Sequence, residues 1–138
     1  MQKPTLQVIV IDPFKKEIRY DIVQNPKITK NYLSFNDEIY ELMSGGPIEV
    51  DIMEAAYLQT EDAQNRDCIM VDEHGLFNDI AEQQFFVVDG AYPQPLAGIG
   101  VVLGTDKAGD SSETCLTLEW FKERIKFYNF QQLKQIYG

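Results

Sequence analysis

The first regular feature of the chain is Leu6-Gln7-Val8-Ile9-Val10-Ile11, rich in β-branched residues and apolar at nearly every position. Such a run predicts a strand buried on both faces and central in its sheet. Asp12-Pro13-Phe14-Lys15 has turn chemistry, and Glu17-Ile18-Arg19-Tyr20-Asp21-Ile22 then alternates polar with apolar, so a hairpin is predicted whose second strand keeps one wet face. Asn25-Pro26 ends that strand. Ser34 stands where a helix cap would, with Asp37 three residues on as a shorter capping box, and Phe35, Ile39, Leu42 and Met43 fall on one stripe before Gly45-Gly46-Pro47. Ile48, Val50 and Ile52 alternate with Glu49 and Asp51 as a third strand. Residues 54–66 are polar around Ala55-Ala56-Tyr57-Leu58, a pattern that fits a helical turn or a loop.

The second half reads as more sheet. Cys68-Ile69-Met70-Val71 is a fourth strand closed by the turn Asp72-Glu73-His74-Gly75, and Gln84-Phe85-Phe86-Val87-Val88 is a fifth. Asp89-Gly90-Ala91-Tyr92-Pro93-Gln94-Pro95 forms a rigid connection. A sixth strand follows from Leu96 to Leu103, interrupted by Gly98 and Gly100, where glycine marks a bulge or a close backbone approach. Residues 104–112 read as a polar loop. Thr117 caps a helix carrying Leu118, Phe121 and Ile125, and residues 127–137 form an aromatic, amphipathic tail expected to dock on the core. The predicted fold is α+β: one domain over residues 1–138, with a mostly antiparallel sheet of about six strands and two or three packed helices.

Composition supports one core, since 44% of the 138 residues are hydrophobic and 12% aromatic. The longest stretch without a charge, residues 90–105, holds Pro93, Gln94, Pro95 and several glycines, so no membrane span is expected. Residues 1–5 lead into a strand rather than a secretory leader, which points to the cytoplasm. Cys68 and Cys115 are the only cysteines, too few for a disulfide framework, and both are expected to be reduced thiols. The net charge of −10 is uneven: residues 31–113 carry seventeen carboxylates against Arg66 and Lys107, while the segments on either side are net basic. So acidic a middle disfavours direct nucleic-acid binding there, and would suit solubility, a basic partner or imitation of DNA.

Catalytic patterns are weak. Gly98-Ile99-Gly100-Val101-Val102-Leu103-Gly104 places the third glycine one residue late for a dinucleotide fingerprint and sits in a strand. The segment around Lys107 lacks the order of a phosphate-binding loop. His74 is the single histidine, so a zinc site or a nucleophile–base pair has few candidates, and Asp106, Asp110 and Glu113 do not follow calcium-loop spacing. No cofactor or metal is expected, and the balance leans away from an enzyme. Tyr92-Pro93-Gln94-Pro95-Leu96-Ala97-Gly98 is the most constrained segment: its prolines fix the backbone, Tyr92 and Gln94 offer a ring and an amide, and Gly98 admits a close neighbour. That preorganisation suits a ligand site and equally a structural corner between strands.

Val71-Asp72-Glu73 with Gly75-Leu76, Phe85-Phe86, residues 92–98, Val102-Leu103-Gly104-Thr105-Asp106 and Gly109 together resemble a family of short tailed-phage and prophage proteins known only as a domain of unknown function. The N-terminal strand through Asp12-Pro13 is also similar, although Ala91 departs from the Gly-Tyr-Pro run of that family. The resemblance implies phage origin and action in the cytoplasm of an infected bacterium, with no activity to carry over. The expected function is that of a non-enzymatic accessory protein binding a host protein or a small nucleotide-like signal, with antagonism of an antiviral defence as the expected purpose. Its expected contacts are Asp72, His74, Tyr92, Gln94, Gly98, Gly100 and Asp106. One alternative is an acidic decoy of a host DNA-binding enzyme; another is a small hydrolase using His74 or a metal.

Overall fold

Two sheets stack face to face because several strands of this chain are apolar on both sides. The computed structural model describes residues 4–30, 32–44, 52–59, 66–72 and 82–137. In chain order these form β1 (Thr5–Asp12), β2 (Glu17–Gln24), α1 (Pro26–Thr29), α2 (Tyr32–Ser44), β3 (Ile52–Gln59) and β4 (Arg66–Asp72). β5 (Gln84–Val88), β6 (Leu96–Ala97), β7 (Gly100–Thr105), β8 (Ser111–Ser112), α3 (Leu118–Arg124), β9 (Ile125–Asn129) and α4 (Phe130–Tyr137) follow. The larger sheet has the order β2-β1-β7-β4-β3 with β8 added to β7, and the smaller has the order β6-β5-β9. Every strand pair described is antiparallel. The α+β class and the mostly antiparallel sheet expected from the sequence are therefore observed.

Side-chain alternation divides the core into layers. Ile9 and Ile11 of β1, Ile69 and Val71 of β4 and Val102 of β7 face the smaller sheet, where Phe86, Val88, Leu96, Phe121 and Ile125 meet them. From the opposite face Leu6, Val8, Val23, Val101 and Leu103 meet Phe35, Ile39 and Met43 of α2. A third cluster joins Phe85 and Ala97 to Leu133 of α4 on the outer side of the smaller sheet. The layers run α2, larger sheet, smaller sheet with α3, then α4. Phe86 and Phe121, both fully buried, lie between the sheets, and each is worth about 1.5–3 kcal/mol of transfer free energy.

Several sequence expectations change form. Ser34 does not cap α2, which already begins at Tyr32. The cap position moved because α1 ends at Lys30 in the left-handed region, its N–H on the Pro26 carbonyl, and the next helix starts at once. Of residues 54–66, those described are neither helical turn nor loop: 54–59 form the body of β3, paired through Tyr57↔Cys68 and Leu58↔Asp67, and Arg66 opens β4. A register shift between Glu54 and Ala56 inserts a bulge, which breaks the two-residue period that would have revealed the strand. The predicted sixth strand is two strands in different sheets, β6 and β7. The predicted 104–112 loop contributes Gly104 and Thr105 to β7 and Ser111–Ser112 as β8; Ile125, expected on the Thr117-capped helix, instead opens β9, which runs into the predicted tail before it turns helical. Gly45-Gly46-Pro47, Ile48, Val50 and the turn residues Glu73, His74 and Gly75 lie outside the described residues.

Candidate functional site

The constrained segment identified in the sequence joins β5 to β6 within the smaller sheet and ends where the chain crosses to the larger one. After β5, Ala91 and Tyr92 both donate their N–H to the Val88 carbonyl at 3.1 and 3.0 Å, with Gly90 at φ +77°. The Asp89 N–H reaches the Arg124 carbonyl at 2.9 Å and ties this turn to the end of α3. Tyr92 is half-buried against the inter-sheet core, while Pro93 and Gln94 are exposed. The chain returns as β6 beside β5 and then leaves the smaller sheet at Gly98, whose φ of +79° is natural only for glycine. The Gly98 N–H donates to the Gln84 carbonyl at 2.8 Å. Two residues later Gly100 opens β7, and a Cβ there would stand 2.7 Å from the Phe86 ring. The close approach that this glycine permits is made by Phe86.

The seven residues expected at a site fall into separate places. Asp72 ends β4 opposite Ile52 and is half-buried. The Met70↔Val101 pairing of β4 with β7 carries Asp72 toward the Gly98–Gly100 end, so these three share a neighbourhood. Tyr92 and Gln94 follow the Val88 end of β5, whereas Gly98 is bonded to its Gln84 end. Asp106 lies beyond the far end of β7, about 17–20 Å along the strand from Gly100. There its Oδ1 accepts from Ala108 N at 2.9 Å and Asp110 N at 3.0 Å, an Asx-type turn. His74 lies outside the described residues.

The three acids of the 104–113 region each take a protein donor. Asp106 holds its own turn, Asp110 pairs with Lys27 at 3.3 Å, and Glu113 accepts from Gln7 N at 3.2 Å. Among the described residues no group of three or more His, Cys, Asp or Glu is placed to hold a metal ion. Cys68 is buried in β4 and Cys115 is exposed before α3.

A group that sequence reasoning missed is Asp67, fully buried in β4. Its Oδ1 and Oδ2 accept from the N–H groups of Cys115 and Leu116, both at 2.8 Å. Burial pushes its carboxyl above the ordinary aspartate value, and the two amide bonds oppose that rise without cancelling it. Gly104, opposite Asp67 in the β4–β7 register, has no room for a Cβ because the Glu113 carbonyl and Ser112 Oγ occupy that space. Asp67 and Gly104 thus fasten residues 112–116 onto the larger sheet. In the sequence Asp67 is one carboxylate among seventeen, and nothing local sets it apart.

The described surface also carries apolar groups. Ile136 and Tyr137 are 56% and 55% exposed, at the end of a helix whose Leu133 is buried and whose Phe130 is half-buried. A shallow depression of about 280 Å³ on the same helix is lined by Gln131, Lys134 and Gln135. Among the described residues no helix is long and apolar enough to cross a membrane. No family model matches the chain, and neither a curated protein nor a solved structure matches it.

Proposed function

We propose that this chain is a non-enzymatic phage accessory protein that acts in the cytoplasm of the infected bacterium by binding a host protein. The observation that carries the reading is the end of α4. Phe130, Leu133, Ile136 and Tyr137 recur at helical spacing, and the smaller sheet receives the first two while the last two stand more than half exposed. Adjacent exposed aliphatic and aromatic groups on a helix whose other apolar residues pack on the sheet are what a protein interface uses as anchors. The small nucleotide-like ligand draws less support, because Gly98 serves to turn the chain at positive φ and Gly100 to make room for Phe86 in the crossing between sheets. The acidic decoy draws less as well: Asp12, Glu38, Asp67, Asp106, Asp110 and Glu113 accept hydrogen bonds or pair with a lysine within the chain.

The test is capture from bacterial lysate by the tagged protein and by a variant carrying Ile136→Asp and Tyr137→Ser, with circular dichroism to show that both are folded. A specific retained protein, lost about tenfold or more in the variant, is the expected result. Equal capture by the variant, or a heat-released metabolite with no retained protein, would overturn the reading.

A further inference from the structure

Among the described residues β2 is an edge of the larger sheet, and three hydrogen bonds reveal which of its backbone groups point outward. Gln7 N turns toward β8's flank to meet Glu113, so Gln7 does not bond its β2 neighbour Ile22. Consistently, Ile22 N bonds the Asp21 carboxylate at 2.8 Å and Gln24 N bonds Glu38 at 2.8 Å, both away from β1. Alternation then aims the N–H and C=O groups of Ile18 and Tyr20 outward as well. The strand is held rigidly in this pose, since Ile18 packs on the inter-sheet core and the Tyr20 hydroxyl accepts from Leu118 N at 3.0 Å. Ile22 remains 63% exposed. On the other face of β2, Arg19 Nη2 stands 3.8 Å from Asp21 Oδ2, both side chains about one-third exposed.

We infer that the occupant of this edge is a second copy of the chain, paired β2 to β2 antiparallel about a two-fold axis at Tyr20. That register sets Ile18 opposite the partner's Ile22 and Tyr20 opposite the partner's Tyr20 as hydrogen-bonded pairs, for about six new backbone bonds. Arg19 then faces the partner's Asp21 across a close, non-hydrogen-bonded pair, and the symmetry makes that contact twice. Charge selects the register. Moving the axis one residue toward the N-terminus sets Arg19 against the partner's Arg19, and one residue the other way sets Asp21 against the partner's Asp21. Like charges directly opposite oppose both alternatives. Glu38, by holding Gln24 N, ends the ladder beyond Ile22. Within one protomer the Asp21 carboxylate covers the Ile22 N–H, which shields the edge as carboxylates commonly do. On pairing, that N–H passes to the partner's Ile18 carbonyl and Asp21 turns to the partner's Arg19. The dimer is consequently concentration-dependent and weakened by salt. It uses an element separate from α4.

Light scattering over a dilution series tests it, with Arg19→Asp and Asp21→Arg as single variants. Wild-type protein should pass from monomer to dimer as concentration rises, and each single variant should stay monomeric. A mixture of the two single variants should form a heterodimer, because every facing charge pair is then opposite. Circular dichroism verifies that both variants fold. As a second measurement, Arg19→Cys mixed with Asp21→Cys, each in a Cys115→Ser background, should oxidise to a cross-linked heterodimer, since the facing Cα atoms would be about 4.5 Å apart. A wild-type protein that is monomeric to about 1 mM, a dimer untouched by either charge reversal, or single variants that fail to associate when mixed would overturn the proposal.

Discussion

The two ends of β7 solve the same steric problem in different ways. At its start, Gly100 lacks a Cβ so that the Phe86 ring can fill the space. Toward its finish, Gly104 lacks one so that the backbone of Glu113 can pass. A ring swings on its own torsions, but a carbonyl moves only with its chain, and here that chain is fixed by Asp67 through the amides of Cys115 and Leu116. The start of the strand therefore tolerates change and the finish does not, although the sequence draws attention to the start.

The contrast can be broken most directly with Gly104→Ala, expected to cost about 3 kcal/mol or more because the overpacking cannot relax. Urea denaturation read by fluorescence measures it, and a loss below that of Gly100→Ala would remove the distinction. Asp67→Ala follows, at about 2–3 kcal/mol, by leaving the Cys115 and Leu116 amides without their acceptor.

The same carboxylate gives a pH signature. Its folded pKa is raised above the ordinary 3.8, so the native state holds the proton to a higher pH than the unfolded chain does. The stability contributed by protonation is fully present below the unfolded value and is lost as pH rises through the folded one. The stability difference between wild type and Asp67→Asn should accordingly shrink as pH rises through the acidic range, measured by urea midpoints. A flat difference would show that Asp67 titrates normally.

Gly100→Ala should cost less, about 1–2 kcal/mol, and Phe86→Leu should relieve part of it. A double-mutant cycle with no coupling would mean that Phe86 is not the group that fills the gap. The smallest effect is expected for Gly98→Ala, about 1 kcal/mol, from placing a Cβ at positive φ; thermal melting would detect it.

How much of this was legible depends on whether the cause was local. β1, the Asp12 turn, β5, the α2 stripe and the Thr117 cap each carry their signal within a few residues, and each is observed. Thr117 Oγ1, for instance, accepts from Trp120 N at 3.1 Å. β3 was hidden by its bulge. The division of residues 96–105 between two sheets was hidden because a glycine hinge reads in sequence as an interruption rather than a change of partner. The site expectation leaned on residues 92–98, where prolines and glycines do mark constraint. Much of that constraint is structural: Tyr92 is half-buried on the core and Gly98 turns the chain toward the larger sheet, while Gln94 is exposed. Asp67 gave no signal at all, because its role depends on amides 48 and 49 positions away.

Placing β1 between β2 and β7 in the larger sheet has a kinetic meaning. Its partner on one side, β2, arrives within a few residues, so that hairpin closes early and locally. Its partner on the other side, β7, and the Gln7–Glu113 bond spanning 106 positions require most of the chain to be searched first. High contact order of this kind slows folding. Until β7 arrives, the inner edge of β1 is exposed along an apolar strand. During synthesis that edge, rather than the finished surface, is where this protein is most open to capture by chaperones or by other chains.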